Sequence, residues 1–154
     1  VVVREKNAEL AKLAYGANYE QVASAPVTIA LFTDTDLAKR ARKIARTGGA
    51  NNFSEEQLQY FLKNLPAEFE RYSDQQVSDY LALNAGLVAM NLVLALTDQG
   101  IGSNIILGFD KSKANEVLEI EERFRPELLI TVGYTDEKLE PSYRLPVDEI
   151  IEKR

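Results

Sequence analysis

The chain has 154 residues, 45% of them hydrophobic, which fits one domain with a core of its own. It contains no His and no Cys, which excludes a Ser-His-Asp triad, a thiol nucleophile, a disulfide and a zinc site of the usual imidazole or thiolate kind. A net charge of −6 and a pI near 4.8 argue against nucleic acid as a partner.

In chain order, the opening VVVREKN reads as a buried strand running into a helix: Val1 to Val3 extended, Asn7 to Ala14 helical. It carries no signal or transit pattern, so a cytoplasmic protein is expected. Tyr19 to Ser24 form another helical turn, ended by Pro26. Val27 to Phe32, VTIALF, is a continuous apolar run between Pro26 and Asp34, the pattern of a central strand covered on both faces. From Asp34 to Ser73 the composition turns polar and helical. A Gly48-Gly49-Ala50-Asn51-Asn52 break precedes a Ser54-x-x-Gln57 capping box that opens the next helix, so this stretch reads as a variable helical insertion packed over the core.

The longest predicted element follows. A second capping box, Ser73 with Gln76, starts a helix that runs to about Thr97, roughly 36 Å at 1.5 Å per residue. Between Tyr80 and Leu96 its only polar side chains are Asn84 and Asn91, so no charged face meets water and the helix needs cover all round. A chain of this length has a radius of gyration of only about 15 Å; a partner subunit is the natural cover, and an obligate homodimer is expected. Its roughly 17 apolar-rich residues also sit at the bottom of the membrane-spanning range. Two Asn, the small residues Ala82, Ala85, Gly86 and Ala89, and the lack of flanking basic clusters argue against a membrane. Ser103 to Leu107 (short strand), Lys111 to Leu118 (short helix), Leu128 to Tyr134 (strand) and a polar tail with PSYRLPVDEI complete the chain. With no repeat or linker, this is a single α+β domain, one sheet with helices on its faces.

Carboxylates, Lys and Tyr are the remaining acids and bases, and no spacing singles out a convergent pair for sugar hydrolysis. No side chain is therefore assigned as catalytic or as a metal ligand, and reactivity would most easily come from a bound cofactor. The strand SAPVTIALF (Ser24 to Phe32), the segment NAGLVAMNLVLALTDQGIGS (Asn84 to Ser103) with its NIILGFD turn, the strand LLITVGY and the closing SYRLP (Ser142 to Pro146) occur in an order and spacing that resemble the FMN-dependent nitroreductase family. The likeness covers about three quarters of the chain and leaves out the 34–73 insertion. It implies a nitroreductase-like fold, with a central mixed or antiparallel sheet flanked by helices and the long helix at a dimer interface. Relatives carry a further segment ahead of this point, with an Arg-rich stretch that holds the FMN phosphate. Three valines at the start, with no cap or polar lead, are poorly tied down, so the chain is expected to be N-terminally incomplete.

The resemblance also implies site residues. Ile105, Ile106, Leu107 and Gly108 match the turn that lines one face of the isoalloxazine, where a backbone N–H meets flavin N5 and glycine allows close approach; as a core strand and turn they would look the same. Arg144 matches a C-terminal Arg that reaches the FMN phosphate, a role its fixed fork suits, with a solvated surface Arg as the alternative. Where relatives place Lys two residues earlier, Ser142 stands here. Asn18 and Gln21 fall where amide or basic side chains face the pyrimidine edge, and read equally as helix-cap or surface residues. Asn84 and Asn91 share one helix face and fit amides bonded across a dimer. The basic run Lys39, Arg40, Arg42, Lys43 and Arg46 reads first as a solvated helix face and second as a lure for the NADPH 2′-phosphate; Glu116, Glu119, Glu121 and Glu122 read as surface. The activity implied is transfer of a hydride from NAD(P)H through FMN to a nitroaromatic, quinone or similar flat acceptor. The alternatives are a non-catalytic flavin-binding or scaffold relative, and a member with specialised chemistry such as reductive dehalogenation.

Overall fold

The computed structural model describes residues 1–48, 52–136 and 143–152. Its centre is a four-stranded sheet in which every pairing is antiparallel, in the order β1-β2-β4-β3. The strands are β1 (Val2–Val3), β2 (Val27–Asp34), β3 (Gly102–Ile106) and β4 (Phe124–Gly133). The apolar run of β2 is interior as its sequence predicts. Ala30 joins Leu10, Val22, Ile106, Phe109, Ala114 and Leu129 in a core on one face, while Ile29 and Leu31 pack with Ala89, Leu128 and Ile130 on the other.

The first face is covered by three short helices, α1 (Asn7–Ala11), α2 (Asn18–Ser24) and α6 (Ala114–Leu118), the last entered through a single 3-10 turn at Lys111–Lys113. α1 stops three residues short of its predicted end. Residues 12–14 leave the helix so that Ala14 can bridge Phe109 and the Leu13 carbonyl can accept from the Asp110 N–H at 2.8 Å. β4 begins earlier than predicted, at Phe124 rather than Leu128. Its Pro126 lacks an N–H for the ladder and sits opposite Phe32, where the register slips between Leu31 and Phe32. A bulge is where proline is tolerated within a sheet.

The second face carries the long helix α5 (Asp74–Asp98), opened by the predicted Ser73–Gln76 capping box. The Ser54–Gln57 box likewise opens α4 (Glu55–Phe69), which forms a helical pair with α3 (Leu37–Gly48) over the Asp34 end of β2. A partly buried ion pair joins the sheet to α5. Glu127, nearly fully buried, accepts from Arg125 Nε at 2.7 Å and from the Thr33 hydroxyl at 2.5 Å. Arg125 in turn donates to the Ser78 hydroxyl (2.8 Å) and carbonyl (3.1 Å) in the first turns of α5.

Only one stripe of α5 is buried, at Leu81, Ala85 and Ala89. Leu83, Leu87, Met90 and Leu94 stand open on the opposite side, with Leu83 65% and Leu87 64% exposed, and Val88 stands open on the flank of the stripe. By length and composition this helix could also cross a membrane. A last short helix, α7 (Val147–Ile150), lies in an exposed tail.

Removing Glu127 takes a charge-assisted hydrogen bond from Arg125, which stays partly solvated and bonded to Ser78, at a cost of about 1.5–3 kcal/mol. Glu127→Ala should therefore lower the urea midpoint of unfolding by that equivalent, and an unchanged midpoint would show that the pair does not hold α5 to the sheet.

Candidate functional site

α2 runs beside the edge strand β3, and between them the chain builds a small surface from three stretches. The first is the loop 12–18. The second is the turn after β3, Leu107–Gly108, whose glycine carbonyl accepts two hydrogen bonds: one from the Tyr15 backbone N–H (2.9 Å) and one from Asn18 Nδ2 (3.2 Å). The third is the pair formed by Gln21 and Asn104, in which Asn104 Nδ2 donates to Gln21 Oε1 at 2.5 Å. Past the turn, the Asp110 side chain caps the 3-10 turn by accepting from Ser112 N–H (3.0 Å) and Oγ (2.6 Å). The Ser112 hydroxyl bond is the main reason the Asp110 carboxyl is held below the usual range.

The predicted residues separate clearly. Asn18, Gln21, Ile105, Ile106, Leu107 and Gly108 come together at this edge. Ile106 points into the core and is almost fully buried, so it supports the surface from beneath. Ile105 is 38% exposed and Leu107 66%, an apolar strip open on one side. A Cβ at Gly108 would lie 2.9 Å from Asn18 Nδ2, so a side chain there would have to displace that amide. Asn18 thus spends its amide on the turn itself. Among the described residues, no hydrogen bond uses the backbone N–H of Leu107 or of Gly108. The turn consequently offers two consecutive free donors beside an apolar strip. Next to it a recess of about 360 Å³ opens, walled by Gln21, Ser24, Pro26, Ser103, Asn104 and Tyr134.

Arg144 is not among this group by any contact in the described residues: it is exposed and donates to its neighbour's carbonyl, Tyr143 O, at 2.9 Å. Ser142 lies outside the described residues. Asn84 donates to the Tyr80 carbonyl (2.7 Å) along its own helix, and Asn91 is exposed. Two participants escaped sequence reading, Tyr15, which acts through its backbone, and Asn104. A polar amide just before the apolar Ile105–Leu107 run was the available signal for Asn104.

The model of the Nitroreductase family matches residues 1–134. The chain belongs to the nitroreductase family. A curated relative, named "Putative NAD(P)H nitroreductase Spy0809", of Streptococcus pyogenes, is 61% identical over 154 residues, which is 100% of this chain and 76% of the relative. Among solved structures, a nitroreductase family protein from Streptococcus pneumoniae TIGR4 is 94% identical with a TM-score of 0.95, covering 100% of this chain and 77% of that one. A "putative nitroreductase in complex with FMN" from Exiguobacterium sibiricum 255-15 is 25% identical with a TM-score of 0.89, over 100% of this chain and 75% of that one. The nitroreductase-like fold is thereby established, its sheet antiparallel throughout.

The fit between Gly108 and Asn18 in this family member can be tested directly. Gly108→Ala should displace the Asn18 amide and lose one net hydrogen bond, about 1 kcal/mol of stability. Because Asn18→Ala removes both the bond and the clash, the double variant should be no less stable than Asn18→Ala alone in urea unfolding. Additive losses would separate the two residues.

Proposed function

We propose that the chain is the core of a homodimeric oxidoreductase that binds FMN at the Ile105–Gly108 edge, takes a hydride from NAD(P)H, and passes electrons to a nitroaromatic, quinone or similar flat acceptor. The observation that carries this reading is the pair of unpartnered N–H donors of Leu107 and Gly108 beside the open Ile105–Leu107 strip. Membership of the nitroreductase family and the FMN-bound relative support it.

Bound FMN would supply the redox chemistry: hydride acceptance from a nicotinamide and electron delivery to the acceptor. The chain's own part is positional. Ile105 and Leu107 would lie against a flat ring, which asks for apolar contact and no charge. The Leu107 and Gly108 N–H groups would donate to a ring heteroatom that gains electron density on reduction. Donors already aimed and held cost no reorganisation at that moment. The double acceptance at the Gly108 carbonyl by Tyr15 and Asn18 does the holding. Asn104 and Gln21 fix each other at the neighbouring rim, where polar ring edges could meet amides. Arg144 is the cation proposed for the cofactor phosphate, brought there from the tail. None of these roles needs a nucleophile or a strong base, in agreement with a chain that has neither His nor Cys.

The second copy would cover the outer face of α5. Leu83, Leu87, Val88, Met90 and Leu94 are each worth roughly 1–2 kcal/mol on burial from their present exposure. Summed over two helices, that is of the order of the 4–15 kcal/mol that association costs.

If nicotinamide and acceptor use the same open face in turn, the half-reactions are separate. Protein reconstituted with FMN should lose its oxidised flavin absorbance under anaerobic NADH or NADPH before any acceptor is added, and initial rates should give parallel double-reciprocal lines. Protein that binds FMN yet stays yellow under excess of both nucleotides would leave a flavin-binding protein without turnover.

A further inference from the structure

The helical segment 34–73 encloses a second concavity that the redox reading does not use. It is a cavity of about 480 Å³ between α3, α4 and the first half of α5. In the register of the sheet its floor, Thr33 and Asp34, lies level with Arg125 and Phe124 of β4, whereas Ile106 lies level with Leu129. At ~3.3 Å per residue the two places are about 13–17 Å apart along the strand. The wall is aromatic and aliphatic: Phe53 and Phe61 stack with centroids 4.7 Å apart, Phe69 packs on Tyr80 at 5.4 Å, and Ile44, 59% exposed, stands at the mouth. A volume of this size suits a small organic ligand, and a mostly apolar wall with few polar groups is the usual make-up of such sites.

Charge selects the ligand. Arg40 lies in the cavity lining, half exposed, and bonds Asp34 Oδ2 at 3.0 Å through a single nitrogen. A guanidinium has five N–H donors, so Arg40 keeps others to offer. Should it turn toward a ligand, Asp34 would stay paired through Arg123, which lies 3.3 Å from the same oxygen. Lys39, Lys43 and Arg46 lie on the opposite face of the same helix from the cavity-lining Leu37, Ala41, Ile44 and Ala45, and take no part in the site. Arg42 is bound to Glu70. Among the described residues, Arg40 is thus the cation that lines this apolar cavity. Aromatic walls with one arginine beside them complement a molecule that has an apolar body and one anionic end.

We propose that the α3–α4–α5 cavity is a binding site for an amphipathic organic anion, an aryl or alkyl carboxylate or sulfonate, with its acid group at Arg40 and its body between Phe53, Phe61 and Phe69. The inference rests on the cavity alone and stands whether or not the chain is a flavoenzyme.

Titration of the full chain with 8-anilinonaphthalene-1-sulfonate, followed by its fluorescence, provides the test. One probe should bind per chain, and decanoate should displace it while 1-decanol, with the same tail and no charge, should not. Arg40→Gln, a surface change, should weaken probe and decanoate by about tenfold, the size of one charge-assisted contact. Ala45→Phe places a ring in the cavity and should abolish the site while circular dichroism stays unchanged. Equal binding to the Arg40→Gln variant, or equal displacement by decanol, would overturn the anionic assignment. A full signal from folded Ala45→Phe protein would move the probe to another apolar surface and end the proposal; if that variant does not fold, the Arg40→Gln result alone decides.

Discussion

A helix without a polar side governs the rest of this molecule. α5 carries the sheet on one stripe, Leu81, Ala85 and Ala89, and the remaining apolar surface faces away from it. Charged residues on that outer face would have closed the molecule as a monomer; leucines, valine and methionine leave it unfinished. The sheet beneath depends on the same helix, because Ile29, Leu31, Leu128 and Ile130 have Ala89 and its neighbours as their cover. The Arg125–Glu127 pair adds direction to what apolar packing leaves free, tying the first turns of α5 to β2 and β4. The proposed homodimer is the arrangement in which this constraint is met on both sides.

The candidate site lies at the far edge of the sheet and is built from backbone more than from side chains. Its free donors are the N–H groups of Leu107 and Gly108, and its rigidity comes from a carbonyl that accepts twice. That economy suits a member of the nitroreductase family whose proposed chemistry would reside in a cofactor. It also explains why substitutions at Gly108 matter sterically: the space a Cβ would need is already taken by Asn18.

Features set by local rules were legible in the sequence. Both capping boxes, at Ser54 and Ser73, are formed with their Gln partners, because the motif needs only residues three apart. VTIALF is an interior strand because an unbroken apolar run has no face to give to water. Features set by distant partners were not. α1 ends early because Ala14 is claimed by Phe109, nearly a hundred residues away. β4 reaches back through Pro126 because Glu127 is an extra, bulged residue in β4 opposite Leu31 and Phe32 of β2. Within the site, the Ile105–Gly108 turn was marked by its apolar run and glycine. Asn18 was expected at a flavin's pyrimidine edge or as a helix-cap or surface residue; in the structure its amide bonds the Gly108 carbonyl, a choice that depends on how α2 lies against β3. The cavity in 34–73 was invisible for the same reason, since helix periodicity says which residues are apolar and not how two helices enclose a space.

The mass of the protein in solution tests the central claim most directly. Light scattering on the purified chain at micromolar concentration should give twice 17.2 kDa, and Leu87→Glu, which sets a charge on the exposed outer face of α5, should abolish the dimer. A folded, soluble species of 17.2 kDa from the unaltered chain would contradict the account.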